Sequence, residues 1–158
     1  MPVSLLFSRN KRFVSRLVCF LTRSDFSHVD IYDPKTDTVI GAMAPTGVRE
    51  TGMKEVLQDS TKAVLVTMEN ISDSKILKYA RSKVGAAYDW PAIFGFAFRR
   101  RMDDPARYFC SELIAKSFAN AGYPMVNEEH HSKQTPDDIY GMEGFGKVKI
   151  KRESISCL

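Results

Sequence analysis

The sequence predicts an α+β fold in which an antiparallel sheet packs against helices. Strand-like runs crowd into the first half of the chain, and helical periodicity dominates the second. Asp33-Pro34-Lys35-Thr36-Asp37 offers turn chemistry between two β-rich runs, the mark of a hairpin. The 158 residues, 44% hydrophobic and 27% charged, suit one domain spanning 1–158 with a single core.

Val3 to Phe7 reads as a short apolar strand. Over residues 10–22, Phe13, Val14, Leu17, Val18 and Leu21 recur at helical spacing, with basic residues on the other side. Phe26 to Tyr32 is a strand rich in aromatic and β-branched residues, and Thr38 to Met43 is its returning partner. Gly47 and Gly52 punctuate a connection into a short helix near Met53 to Leu57. Ala63 to Met68 alternates as a strand, and Ser74 to Val84 places Ile76, Leu77, Ala80 and Val84 on one helical face. Asp89 before Trp90-Pro91 reads as an N-cap opening the apolar stretch Ile93 to Phe98, which is too short to span a membrane. A helix from about Cys110 to Asn120 stops at Ala121-Gly122. Thr135-Pro136-Asp137-Asp138 opens another, and Lys147 to Arg152 forms a final strand.

The net charge of +4 is a modest excess, gathered locally at Lys11, Arg12 and Arg16, at Arg99-Arg100-Arg101, and on alternate residues from Lys147 to Lys151. The alternating set suits the solvated face of an edge strand. Three cysteines, Cys19, Cys110 and Cys157, are an odd number without metal-like spacing, so a disulfide framework is not expected. Arg9, Lys11 and Arg12 interrupt any leader-like apolar run, and Cys157 does not stand in a lipidation box. The expectation is a cytoplasmic protein.

Cys110 stands at the predicted first turn of a helix, where unpaired backbone N–H groups and the helix dipole favour a thiolate. The same N–H groups suit a developing oxyanion. A cysteine nucleophile needs a base, and there are three histidines. His130 and His131 are adjacent beside Glu128 and Glu129 in a polar stretch, and adjacent side chains diverge, so no metal site is expected. His28 lies inside an apolar strand between Ser27 and Val29, either a satisfied core residue or a placed base. Asp30, two residues on, shares its sheet face by alternation and is the candidate to orient it. Tyr88 and Trp90 are candidate pocket residues, although aromatics before a helix also serve as packing.

The segment Phe26-Ser27-His28-Val29-Asp30-Ile31 precedes Tyr108-Phe109-Cys110-Ser111-Glu112-Leu113-Ile114, so histidine comes before cysteine, the reverse of the usual papain order. These segments resemble the circularly permuted branch of the NlpC-type papain-like superfamily, and within it the YiiX/YaeF-like amidases. The lecithin:retinol acyltransferase group is a more distant relative. Ile40-Gly41-Ala42, Gly47-Val48, Tyr88-Asp89-Trp90 and Thr135 to Tyr140 support the likeness, which covers Val3 to Tyr140. It implies a permuted papain-like fold, a Cys110 acyl-enzyme formed with His28 as base, no cofactor, and a small peptide-like or lipid acyl substrate. Members resembling this chain often carry a carboxylate on the second strand as third catalytic group, at the place of Gly41. Either Asp30 takes over that role, or the site is a dyad, or activity is weakened.

Two other classes stay open. One is an inactive papain-fold binding module, suggested by Gly41. The other is a basic protein acting at a membrane surface or on nucleic acid, suggested by Arg99-Arg100-Arg101 beside Ile93 to Phe98. A nucleic-acid partner is not expected, whereas peripheral membrane contact is left open.

Overall fold

The computed structural model describes residues 1–11, 24–89, 107–125, 136–140 and 150–157. Their strands are β1 (Pro2–Asn10), β2 (His28–Asp33), β3 (Thr38–Met43), β4 (Gly47–Gly52), β5 (Ser60–Ser72), β6 (Ala87–Tyr88), β7 (Arg107–Tyr108) and β8 (Ile150–Ile155). The helices are α1 (Met53–Gln58), α2 (Asp73–Ser82), α3 (Cys110–Asn120) and α4 (Pro136–Tyr140).

Six strands form one sheet in the order β4-β3-β2-β1-β5-β8, antiparallel at every step. β1 is interior, between β2 and β5, and Leu5, Leu6 and Phe7 are all fully buried. That burial on both faces explains why its sequence is a run of apolar residues rather than an alternation. One face carries Val3, Leu5, Phe7, Val29, Ile31 and Ile40 against Ile76 of α2 and Leu113, Ile114 and Phe118 of α3. On the opposite face Leu6 and Val39 pack with Met53, Val56 and Leu57 of α1, and Tyr32 joins them.

The hairpin expected around residues 33–37 forms, with Ile31↔Ile40, Tyr32↔Val39 and Asp33↔Thr38 in register. His28 to Asp30 lie beyond this paired stretch of β2 and β3. The connection expected at Gly47–Gly52 is instead strand β4, paired with β3 along its whole length. Gly47 is a glycine for a local reason: at φ +85° a Cβ would come 2.1 Å from the Ala86 carbonyl oxygen. That close approach lets the Val48 N–H donate to Ala86 O at 2.9 Å and the Gly85 N–H to Val48 O at 2.9 Å. The chain thus laid along β4 continues into β6, which pairs in parallel with β7 through Ala87↔Arg107 and Tyr88↔Tyr108. β7 then delivers the chain to Cys110.

α3 has its expected bounds. Phe109 is extended before it (φ −89°, ψ 155°) and accepts the Leu113 N–H at 3.0 Å. The Glu112 carboxylate receives the Phe109 N–H at 3.5 Å. Phenylalanine has no side-chain acceptor to return, so only this half of a capping box exists. At the other end Gly122 takes φ +90°. The Tyr123 N–H reaches Phe118 O at 2.9 Å and the Gly122 N–H reaches Ala119 O at 3.0 Å, a Schellman closure.

Arg81 of α2 ties the helix layer to the sheet, donating to Asp33 at 2.6 Å and to Glu50 at 2.8 and 3.2 Å. Among the described residues no helix is long and apolar enough to cross a membrane. Asn10, the first residue of the helix expected over 10–22, ends β1 instead, and residues 12–22, the stretch 93–101 and the segment 128–135 lie outside the described residues.

Candidate active site

Cys110 is the first residue of α3 and is almost wholly buried. Four packed side chains of α3, Leu113, Ile114, Ala115 and Phe118, are completely buried and fix the helix against the sheet. The helix start is therefore held rigidly, with first-turn N–H groups that have no acceptor within the helix.

His28 opens β2 and is itself buried. Its Nε2 stands 2.7 Å from Oδ1 of Asp30, and the Cys110 thiol is within hydrogen-bonding reach of the same ring. With Nε2 engaged by the carboxylate, Nδ1 is the nitrogen left to face sulfur. Burial opposes the charged imidazole. The Asp30 charge and hydrogen bond, joined by those of Cys110, outweigh that and push His28 up to about 10. The ring is thus protonated at neutral pH.

Asp30 is 3% exposed, and its second oxygen, Oδ2, has no hydrogen-bond partner among the described residues. Its position explains Gly41. A Cβ on residue 41 would fall 1.7 Å from Asp30 Oδ1 and 3.2 Å from His28 Nε2. The carboxylate of β2 occupies the space into which a β3 side chain would project, so the two cannot coexist.

A family model described as permuted papain-like amidase enzyme, YaeF/YiiX, C92 family, matches residues 4–143. The chain belongs to that family. Its fold is similar to the crystal structure of the metalloprotein yiiX from Escherichia coli O157:H7, at a TM-score of 0.63 and 17% identity, covering 100% of this chain and 97% of that one. No curated protein sequence matches the chain. Among the described residues no group of three or more His, Cys, Asp or Glu side chains is arranged to hold a metal ion.

Against this permuted papain-like amidase fold the remaining candidates can be placed. Tyr88 is buried, with its ring 6.1 Å from that of Phe109. Burial, followed by the charges of Cys110 and Asp89, raises its phenol well above the ordinary value, so it stays neutral. Trp90, His130 and His131 lie outside the described residues.

The sequence reading passed over Arg49. It pairs with Gly41 across β3 and β4, and directly paired residues of an antiparallel ladder share a face. Arg49 therefore springs from the same face as His28 and Asp30. Finding it requires the β3–β4 register, and that register is invisible while 47–52 is read as a connection.

Proposed function

We propose that the protein is a cysteine amide hydrolase in which Cys110 is the nucleophile, His28 the acid and base, and Asp30 the group that orients His28. The single observation behind this reading is the buried His28 ring engaged by the Asp30 carboxylate at 2.7 Å while the Cys110 thiol stands within reach of the same ring. Cationic imidazole is the partner that a reactive thiolate needs.

In the proposed cycle the thiolate attacks the amide carbonyl and a C–S bond forms. The resulting oxyanion is received by first-turn N–H groups of α3, that of Cys110 foremost. Imidazolium gives its proton to the departing nitrogen as the C–N bond breaks, leaving an acyl-enzyme and neutral His28. Water then attacks the thioester, His28 takes its proton, and collapse releases the acid and restores the thiolate–imidazolium pair. Asp30 holds the ring with one nitrogen toward sulfur throughout and compensates its charge. Tyr88 is proposed to line the substrate side. Amide, thioester and acyl-transfer chemistry share the first half of this cycle, and the family supports the amide.

The test is intact-mass analysis after brief exposure to p-nitrophenyl acetate. One acetyl group should be found on Cys110, none on Cys19 or Cys157, and none in Cys110→Ala. Acetylation spread evenly over the three thiols would end the nucleophile reading.

A further inference from the structure

We propose that Arg49 is a substrate-recognition residue, and that the amide hydrolysed at Cys110 carries a carboxylate close to its scissile bond. This rests on the nucleophile reading above and names the substrate class of that same site.

Two arginines that look equivalent in the sequence differ in their partners. Arg81 lies on the face covered by α2 and α3 and is well engaged, with donors on Asp33 at 2.6 Å and on both oxygens of Glu50 at 2.8 and 3.2 Å. Arg49 lies on the other face, and its contacts are poor. One guanidinium nitrogen meets the Met43 thioether at 3.0 Å, a weak acceptor. The other is 3.9 Å from Glu55, whose side chain is 65% exposed, and a pair of that kind is worth little. A guanidinium has five donors in a fixed fork, and among the described residues almost none of them is used.

Position supplies the second half of the argument. Gly41, the cross-strand partner of Arg49, is the residue whose Cβ would lie 3.2 Å from His28 Nε2. Paired residues in such a ladder place their Cβ positions about 4.5–5.5 Å apart. The stem of Arg49 thus starts within one side chain's length of the His28 ring. Its tip leans along β3 toward Met43, beyond Gly41 in the direction of the unpaired start of β2. The side chain remains 31% exposed, so a ligand can reach it. Glu50, the adjacent carboxylate on β4, is engaged by Arg81 on the opposite face and does not compete.

A single planar fork matches a carboxylate in bidentate fashion. A phosphate dianion would call for more positive charge than one guanidinium supplies. The described residues thus favour a substrate such as an N-acyl amino acid or a peptide-like amide with a nearby free carboxylate.

The experiment compares two alkylating agents that differ in charge alone, iodoacetate and iodoacetamide, each followed by intact mass at Cys110. The readout is the ratio of their rates, because His28 contributes to both. Arg49→Gln should lower the iodoacetate-to-iodoacetamide ratio about tenfold at low ionic strength. Arg49→Lys, which keeps the charge, should retain most of it, and Lys35→Gln in the distant hairpin turn should leave it unchanged. Succinate should protect Cys110 from iodoacetate better than inorganic phosphate does at matched ionic strength. A ratio unmoved by Arg49→Gln, or lowered equally by Lys35→Gln, would overturn the role of Arg49. Stronger protection by phosphate would overturn the assignment to a carboxylate. If iodoacetamide labels Cys110 no faster than Cys157, the failure lies instead with the nucleophile reading, and the two outcomes remain distinct.

Discussion

Asp30 and Asp33 stand three residues apart on one strand, both buried, and they face opposite sides of the sheet. Asp33 points to the helix layer and has both oxygens engaged, Oδ2 by Arg81 at 2.6 Å and Oδ1 by the Lys35 N–H at 2.9 Å. Burial alone would push its carboxyl up, but Arg81 and the Lys35 N–H hold it below the ordinary value. Asp30 points to the other face, spends one oxygen on a titratable ring and leaves Oδ2 without a hydrogen bond among the described residues. A buried carboxylate with every acceptor engaged by fixed donors is a tie between elements. One that shares its charge with an imidazole, and keeps an oxygen in reserve, belongs where protons move. The two ends of β2 therefore separate stability from chemistry within six residues.

The most direct way to break this contrast is Asp30→Asn. The amide can still accept from Nε2 but carries no charge, so both the ring's orientation and its protonation suffer. Acetylation of Cys110 in single turnover should slow about a hundredfold, roughly 2.7 kcal/mol in barrier, with the far-UV circular dichroism unchanged. A change under twofold would remove Asp30 from the mechanism and leave a dyad. Gly41→Ala attacks the same carboxylate from the neighbouring strand. A methyl group placed 1.7 Å from Asp30 Oδ1 must displace it, and the acetylation rate should fall at least tenfold. In the double variant Asp30→Gly/Gly41→Ala the clash is gone. Stability should return while the rate does not, and recovery of the rate would show that the carboxylate is dispensable.

Those variants also mark which parts of the molecule were legible in the chain. The bounds of α3 were readable because local chemistry sets them, an apolar period closed by Gly122 in a left-handed conformation. β3 was readable because a hairpin turn and its two strands are contiguous. β4 was not, because Gly47 looks like a loop residue. In the structure it is needed for the approach of Ala86, a contact with a residue 39 positions away. β6 and β7 are two residues each and, among the described residues, form a ladder only with each other, so no periodicity can announce them. Within the site, alternation along β2 put Asp30 on the face of His28. The reason Gly41 suits that arrangement, and the presence of Arg49 beside it, depend on the registers of three strands at once.

At the other end of β2, Asp33→Asn sharpens the comparison from the structural side. The variant loses the charge that anchors Arg81 to the sheet, although Glu50 still holds the guanidinium. The expected cost is about 1–3 kcal/mol of unfolding free energy, read from the urea midpoint at constant slope. The rate of Cys110 acetylation should stay within twofold of the parent. A tenfold loss of rate without loss of stability would mean that the two carboxylates are not separable.

The smallest effect is read as a slope per pH unit and concerns the charge on His28. Its value rises from 6.5 unfolded to about 10 in the fold, so the folded state binds one more proton than the unfolded state between those limits. The stability it contributes is complete below about pH 6.5 and is lost as pH climbs through 10. Because the Cys110 thiol also titrates in that range when unfolded, the measurement belongs in Cys110→Ala, where Asp30 still raises the ring. There, unfolding free energy should fall with pH between 7.5 and 9.5 by at most about 1.4 kcal/mol per unit, the slope of one proton. Adding Asp30→Asn should flatten that slope toward zero, since burial then acts on the ring without a compensating charge. An equal slope in both backgrounds would assign the excess proton to some other group and detach the charge of Asp30 from that of His28.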